Sequence, residues 1–250
     1  MEALVVENLS MHFGGLQVLR DLSFSVEAGE RLAIIGPNGA GKTTLFQILS
    51  GLLMPTQGRI FFYGKEITRL PAHRRASLAL GRTFQITNLF FNLTVLDNVL
   101  LALEAEGKKR FNLLRPLLTY KSLLAEGERV LTKWGMWDRR DVTVRSLSYG
   151  EQRHLEIMLT LSQNRPLLLL DEPTCGLSPE EARTFVSMIC NFSEDFTTLI
   201  IDHDMDVIFG VARKVMVLYY GSLLAFGSPE EVRQNEEVQR IYMGADDEPA

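Results

Sequence analysis

Cysteine is nearly absent from this 250-residue chain, and a cationic excess and a long unbroken apolar run are missing as well. The two cysteines, Cys175 and Cys190, make no metal-ligand spacing and suggest no disulfide framework, which points to a reducing cytosol. With 26 Lys and Arg against 31 Asp and Glu the formal charge is −5, a balance that argues against a nucleic-acid partner. The basic runs 108-KKR-110 and 139-RR-140 read as solvated helix ends or loops. The most apolar tract, 215-VMVLYYGSLLAFG-227, is too short for a bilayer and contains Gly and Ser, so a membrane role needs another chain to supply the span. The start, MEALVVENLS, has neither the basic nor the apolar region of a signal peptide. Internal repeats and low-complexity linkers are lacking too. What remains is an ordinary globular composition, long enough for one large domain or a core with a subdomain.

Short apolar or alternating runs separated by turn signals make the first 35 residues or so β-rich: 3-ALVVENL-9, 22-LSFSV-26 and 31-RLAIIG-36. A helix is predicted from Thr43 to Leu52, then a strand at 59-RIFFYG-64. From about Leu89 to Thr160 the pattern is mostly helical, interrupted at 104-EAEGKKR-110 and at a Trp-bearing turn near 134-WGMWDRR-140. The β pattern returns with 166-PLLLLDEP-173, a continuous apolar run expected of a buried parallel strand. A helix capped by Ser178, Pro179 and Glu181 follows, with Ala182, Phe185, Val186 and Ile189 at helical spacing. Strands at 197-TTLIIDHD-204 and 215-VMVLYYG-221 flank another helix, and the charged tail after Pro229 is helical with a frayed acidic end, 246-DDEPA-250. These runs divide the chain into an α/β core at 1–88 and 161–228, an inserted helical subdomain at 89–160 and a C-terminal helical tail at 229–250.

The segment 36-GPNGAGKT-43 satisfies G-x-x-x-x-G-K-[ST] after a predicted strand and before a predicted helix, the context that a phosphate-binding loop requires. Gly36, Gly39 and Gly41 let the backbone curl so that successive N–H groups face phosphate oxygens. Lys42 reaches the terminal phosphates, and the Thr43 hydroxyl is a ligand for Mg²⁺. Pro37, Asn38, Ala40 and Thr44 complete the nucleotide-binding run. A second metal-site group is expected at the end of another buried strand, and Asp171 closes 167-LLLLD-171 in that way. Glu172 beside it is placed to orient or deprotonate a water near a γ-phosphate. His203, just past the strand 198-TLIID-202, is either a structural histidine at a strand end or a γ-phosphate sensor. No N-K-x-D element occurs, which excludes a small GTPase.

A second anion-seeking feature stands apart. In 147-LSYGEQRHLEIMLTL-161, Ser148 and Glu151 have the S-x-x-E spacing of a capping box, Gly150 leaves the first turn open, and Leu155, Met158, Leu159 and Leu161 bury one side. A nucleoside kinase has no need of this stretch.

Together, 36-GPNGAGKT-43, Gln85 in 82-RTFQ-85, 147-LSYGEQ-152, 168-LLLDE-172, 176-GLS-178 and His203 resemble, in order and separation, the ATP-binding cassette (ABC) family over nearly the whole chain. The resemblance implies an α/β fold: a P-loop NTPase core with a mixed sheet and an inserted α-helical subdomain. It implies that two cassettes pack head to tail, so that Ser148 and the N–H of Gly150 bind ATP held by the neighbour's loop. It makes Phe13 the aromatic that stacks on adenine, Gln85 a contact to Mg²⁺ or the attacking water that relays closure, Glu172 the catalytic base, and His203 the group holding base and γ-phosphate in register. ATP and Mg²⁺ are the implied cofactors. Tyr149, at a position often glycine, and Ser178, often aspartate, depart from the family pattern.

Within the family, 81-GRTFQITNLFFNLTVLDNVLLAL-103, 13-FGGLQVL-19, 201-IDHDMDVI-208 and 227-GSPEEV-232 are most similar to ATPases of branched-chain amino acid importers, whose relatives also carry urea, short amides and aromatic acids. The partners then implied are transmembrane permease subunits docked near residues 86–100, a second ABC ATPase in a homo- or heterodimer and, indirectly, a periplasmic or extracellular solute-binding protein. The implied location is peripheral, on the cytoplasmic face of the inner membrane. The other readings are an exporter or lipid-extraction ATPase, and a non-transport ABC ATPase; the latter usually has coiled-coil arms or two fused cassettes, which this chain lacks.

Overall fold

Alternation in the first 27 residues builds two long antiparallel strands, β1 (Glu2–Phe13) and β2 (Leu16–Glu27). The sequence predicts shorter strands here. Both continue because register shifts absorb the polar interruptions: Asn8 and Asp21 take φ of 48° and 43°, and the Ser10 hydroxyl accepts from the Asp21 N–H (3.0 Å) while donating to its carboxylate (3.1 Å). Such a bulge restores the inward and outward alternation that one extra residue inverts. The chain is seen as a computed structural model that describes residues 1–78, 80–82, 89–106, 120–162, 166–192 and 196–243. These belong to two compact units, one of residues 1–85 with 165–250 and one of residues 86–164. Gln85, the basic run 108–110 and the acidic end 246–250 lie outside the described residues.

In the first unit, β4 (Gln57–Phe62) pairs with β1 and with β5 (Lys65–Glu66), giving a sheet ordered β2-β1-β4-β5. The second sheet is ordered β10-β9-β3-β8-β7-β6, from β3 (Arg31–Ile35), β6 (Leu80–Arg82), β7 (Leu167–Asp171), β8 (Thr197–Ile201), β9 (Lys214–Tyr219) and β10 (Ser222–Gly227). Strands β9, β3, β8, β7 and β6 are parallel and β10 returns antiparallel beside β9, so the sheet is mixed. Every residue of β7 and β8 is buried, as the continuous apolar run before Asp171 requires of β7, while β8 buries Thr197 and Thr198 ahead of its apolar residues. The strand predicted at 215–221 is β9, and the rest of the apolar tract 215–227 returns beside it as β10 in a hairpin. Tyr220 and Gly221, at φ 44° and 79°, form its turn, the two left-handed residues matching the twist of the paired strands.

Helix α1 (Lys42–Leu49) stops three residues before the predicted end. Gly51, at φ 77°, turns the chain there, and a Cβ on it would meet Ala72 N, Arg75 Nε and Leu70 O at 2.9 Å. Arg75, on α2 (Ala72–Ser77), lies fully buried across that helix end. Its guanidinium donates to the carbonyls of Ile48 (2.7 Å), Leu49 (2.9 Å), Thr68 (2.8 Å) and Leu70 (2.9 Å). A cation at a helix C-terminus meets the negative end of the helix dipole. Helices α6 (Pro179–Phe192), α7 (Met205–Val211), α8 (Pro229–Gln234) and α9 (Glu236–Met243) complete this unit.

The second unit contains α3 (Val95–Glu106), α4 (Lys121–Lys133) and α5 (Tyr149–Ser162). Residues 91–95 run beside 142–145, with N–H groups of Val144, Arg145 and Val95 donating at 3.0 Å to the carbonyls of Leu93, Phe91 and Val142. Buried Asn98 clamps Phe90 from both sides, accepting from its N–H (2.8 Å) and donating to its carbonyl (3.1 Å). Phe90 and Phe91 are thus presented, 58% and 37% exposed, on a loop held by these hydrogen bonds.

Candidate nucleotide-hydrolysis site

Register decides where the chemical groups emerge. Ile34 of β3 and Asp171 of β7 both lie opposite Ile201 of β8, so the three parallel strands end at one level. The residues that follow, Gly36, Glu172 and His203, therefore come out together at the carboxyl edge of the sheet, where open α/β folds bind ligands.

Gly36 at φ 152°, Gly39 at 79° and Gly41 at 102° shape the loop after β3. A Cβ on Gly36 would stand 2.2 Å from the Leu218 carbonyl oxygen, and one on Gly41 would stand 2.7 Å from Leu19 Cδ2. The Gly221 N–H, from the β9–β10 turn, braces the loop by donating to the Ala40 carbonyl (3.1 Å). Lys42 Nζ folds back over it, donating to the carbonyls of Gly36 (2.5 Å) and Pro37 (3.0 Å). Burial lowers the Lys42 pKa, and the nearby Glu172 charge opposes that shift. The first intrahelical bond of α1 runs from Leu45 N–H to the Gly41 carbonyl (2.9 Å), so the N–H groups of Lys42, Thr43 and Thr44 precede it at the positive end of the helix. From α9, the Tyr242 phenol reaches the same loop: burial pushes its pKa up to about 12, against a backbone hydrogen bond with Gly36 that draws it down.

Asp171 is buried at the end of β7. Glu172 turns sharply away from it in the left-handed region, at φ 45°, with its N–H donating to the Ile201 carbonyl (2.8 Å). Its carboxylate is 35% exposed, and Oε1 lies 3.9 Å from Nδ1 of the well-exposed His203. The structure thus brings the phosphate loop, Asp171, Glu172 and His203 together within the first unit. Phe13 closes β1 at the hairpin end and is 48% exposed.

Ser148 and Gly150 belong to the second unit. The expected capping box is present: Ser148 N–H donates to Glu151 Oε2 (2.9 Å) and Glu151 N–H to Ser148 Oγ (3.2 Å). The backbone bond from Ser148, the largest effect, holds the Glu151 carboxyl below its usual range. Burial along α5 is wider than one apolar side. Leu159 is half-buried, whereas Ile157 and the ion-paired Arg153 and Glu156 are buried with Leu155, Met158 and Leu161. Ser178 caps α6 in the same manner, with bonds of 2.8 and 3.3 Å to Glu181. Asp202 is the group that sequence reasoning missed. A weaker form of the signal that marked Asp171 was available, an acid at the end of a strand whose last residues are apolar.

Comparison with known proteins agrees with this geometry. The family model described as ABC transporter matches residues 19–175, and the one described as branched-chain amino acid ATP-binding cassette transporter matches residues 222–248. The chain is 35% identical, over 248 residues, to the high-affinity branched-chain amino acid transport ATP-binding protein LivG of Salmonella typhimurium, covering 96% of this chain and 97% of that one. It is 32% identical over 245 residues to the lipopolysaccharide export system ATP-binding protein LptB of Haemophilus influenzae, covering 98% of each. An ATP-binding cassette of an ABC transporter, solved in its ADP conformation, superposes with a TM-score of 0.83 at 29% identity, over 98% of this chain and 99% of that one. A phosphate loop braced at the edge of a mixed sheet, with a carboxylate and a histidine at the ends of the adjoining strands, therefore has a family to match: the chain belongs to the ABC transporter family, as an ATP-binding cassette whose ATP hydrolysis drives transport.

Proposed function

We propose that this chain powers a membrane importer for branched-chain amino acids or related small solutes such as urea, amides or aromatic acids. The observation that carries the reading is the match of residues 222–248, beyond the general cassette, to a C-terminal family specific to branched-chain amino acid cassettes. In this reading ATP phosphates lie on the N–H groups of residues 38–44, and Lys42 transfers its donors from the Gly36 and Pro37 carbonyls to phosphate oxygens. Thr43, Asp171 and Gln85 offer oxygen donors, the type a hard cation takes, and would hold Mg²⁺, which neutralises phosphate charge when bound. Glu172 orients and deprotonates the attacking water, and His203 keeps that carboxylate and the γ-phosphate in register. Phe13 stacks on adenine.

The core, residues 1–88 and 161–228, binds nucleotide, and the subdomain 89–160 presents Ser148 and the Gly150 N–H to ATP held by a second cassette. A ligand shifts a conformational equilibrium only through its differential affinity. A γ-phosphate bridging two chains supplies that difference and closes the pair. The exposed Phe90 and Phe91 are the surface on which transmembrane permease subunits dock in this reading, with the chain peripheral at the cytoplasmic face of the membrane; among the described residues no helix is long and apolar enough to cross it. A solute-binding protein outside the membrane would contact those subunits and not this chain.

Gentle purification of the chain from its native membranes, with identification of what accompanies it, tests this reading. Two permease-like subunits, a second cassette and an amino-acid-binding protein support it. A lipopolysaccharide export channel, the alternative favoured by 32% identity to LptB, overturns it.

A further inference from the structure

The mechanism above makes no use of Asp202, although its side chain is fully buried. A carboxylate withdrawn from water must be met by donors or by opposite charge. Four donors converge on this one, divided by oxygen. Oδ2 accepts from the Thr174 hydroxyl (2.6 Å) and the Thr174 N–H (3.3 Å). Oδ1 accepts from the N–H groups of His203 (2.8 Å) and Asp204 (3.1 Å). One oxygen thus grips the loop that follows Glu172, and the other grips the turn that carries His203.

The preceding residue adds to the same joint, since the Ile201 carbonyl accepts from the Glu172 N–H (2.8 Å). Glu172 needs such restraint. It occupies a left-handed conformation, at φ 45°, that a residue with a side chain adopts only when its surroundings over-determine it. The Cys175 N–H donates to the Glu172 carbonyl (3.2 Å), so Glu172 is held on one side by Ile201 and on the other by a loop that Asp202 anchors through Thr174. His203 Nδ1, 3.9 Å from both Glu172 Oε1 and Asp202 Oδ1, sits over this joint.

We propose that Asp202 is a positioning residue for hydrolysis: its buried carboxylate, bonded through one oxygen to Thr174 and through the other to the His203 turn, sets the distance between Glu172 and His203. It touches no nucleotide in this role. The inference rests on the reading of Glu172 and His203 as the hydrolytic pair.

The test uses the full-length chain with Mg²⁺-ATP, reading kcat, KM and melting temperature for Thr174→Val, Thr174→Ser, His203→Ala and the double variant Thr174→Val/His203→Ala. Losing a group that orients a reacting side chain lowers activity by about 10- to 100-fold. Thr174→Val is therefore expected to lower kcat by that amount with KM nearly unchanged and with a lower melting temperature, because the buried carboxylate loses one of its four donors, and Thr174→Ser to restore both. In the His203→Ala background Thr174→Val should add almost nothing, because there is no longer a histidine to position. Undiminished kcat in Thr174→Val, a loss that Thr174→Ser fails to rescue, or a loss that adds in full to His203→Ala overturns the role of Asp202 alone. Full turnover in His203→Ala overturns the hydrolytic pair and this inference with it. If Thr174→Val does not fold, Asp202→Asn, which keeps the volume but sets an amide N–H₂ against N–H or O–H donors, replaces it in the cycle, with the same fall in kcat and the same absence of a further fall in the His203→Ala background expected.

Discussion

Replacing Glu172 by Gln separates binding from chemistry most cleanly, because the backbone around it has little reason to change. The left-handed turn at φ 45° is held by main-chain bonds from Glu172 N–H to Ile201 and from Cys175 N–H to Glu172, and an amide side chain leaves both in place. What disappears is a base. General-base assistance is worth about 10²- to 10⁴-fold in rate, or about 3 to 5 kcal/mol of barrier at about 1.4 kcal/mol per decade. The lost charge also touches Lys42, whose pKa burial lowers and Glu172 raises; the lysine therefore loses a little of its support as a cation. Against this, a negative charge near the γ-phosphate is removed, so the two effects on ATP affinity oppose one another. The expected outcome is a Kd for ATP close to wild type with single-turnover hydrolysis slowed by about two to four decades. Hydrolysis within about threefold of wild type would refute the base assignment, since no weaker role for the carboxylate reaches the expected range.

Arg75→Met should lower stability by about 3 to 5 kcal/mol by leaving buried carbonyls at the end of α1 without their donor; a urea midpoint that falls at constant slope checks this, and an unchanged midpoint contradicts it. Phe90→Ser with Phe91→Ser should release the membrane subunits while stability stays within about 0.5 kcal/mol, the usual range for exposed sites, and the isolated chain keeps its hydrolysis; co-purification together with ATPase assay decides. The Glu151 carboxyl has a folded pKa below its ordinary value of 4.5, chiefly through the backbone bond from Ser148. Its contribution to the start of α5 is therefore complete above the ordinary value and is lost as pH falls through the depressed one. The Ser148 N–H, which donates to that carboxylate, should lose its protection against amide exchange over that acidic window, and Glu151→Gln should abolish the pH dependence.

Legibility from sequence follows the range of the interactions involved. The phosphate loop could be read directly because its geometry is local: glycines permit the curl, and the helix that presents Lys42 and Thr43 begins within the motif. The capping boxes at Ser148, Ser178 and Ser228 could be read, or were there to be read, for the same reason, each closing over three residues. Strand lengths were less legible. Bulges at Asn8 and Asp21 disturb the period of two, and the bonds that tolerate them join Ser10 to a residue eleven positions away. The end of α1 was overrun because Arg75, which finishes it, comes from another helix.

The sequence by itself therefore determined which groups this protein has for holding a nucleotide and where α1 and the capped helices α5 and α6 start, since those depend on backbone freedom and on neighbours within a turn. Only the tertiary structure decided that Glu172 and His203 stand 3.9 Å apart and that Asp202 joins their loops. That proximity comes from the parallel register of Asp171 with Ile201, between segments 30 positions apart in the chain. Such a pairing is chosen by the burial of two whole apolar strands, a collective energy that no local residue pattern encodes.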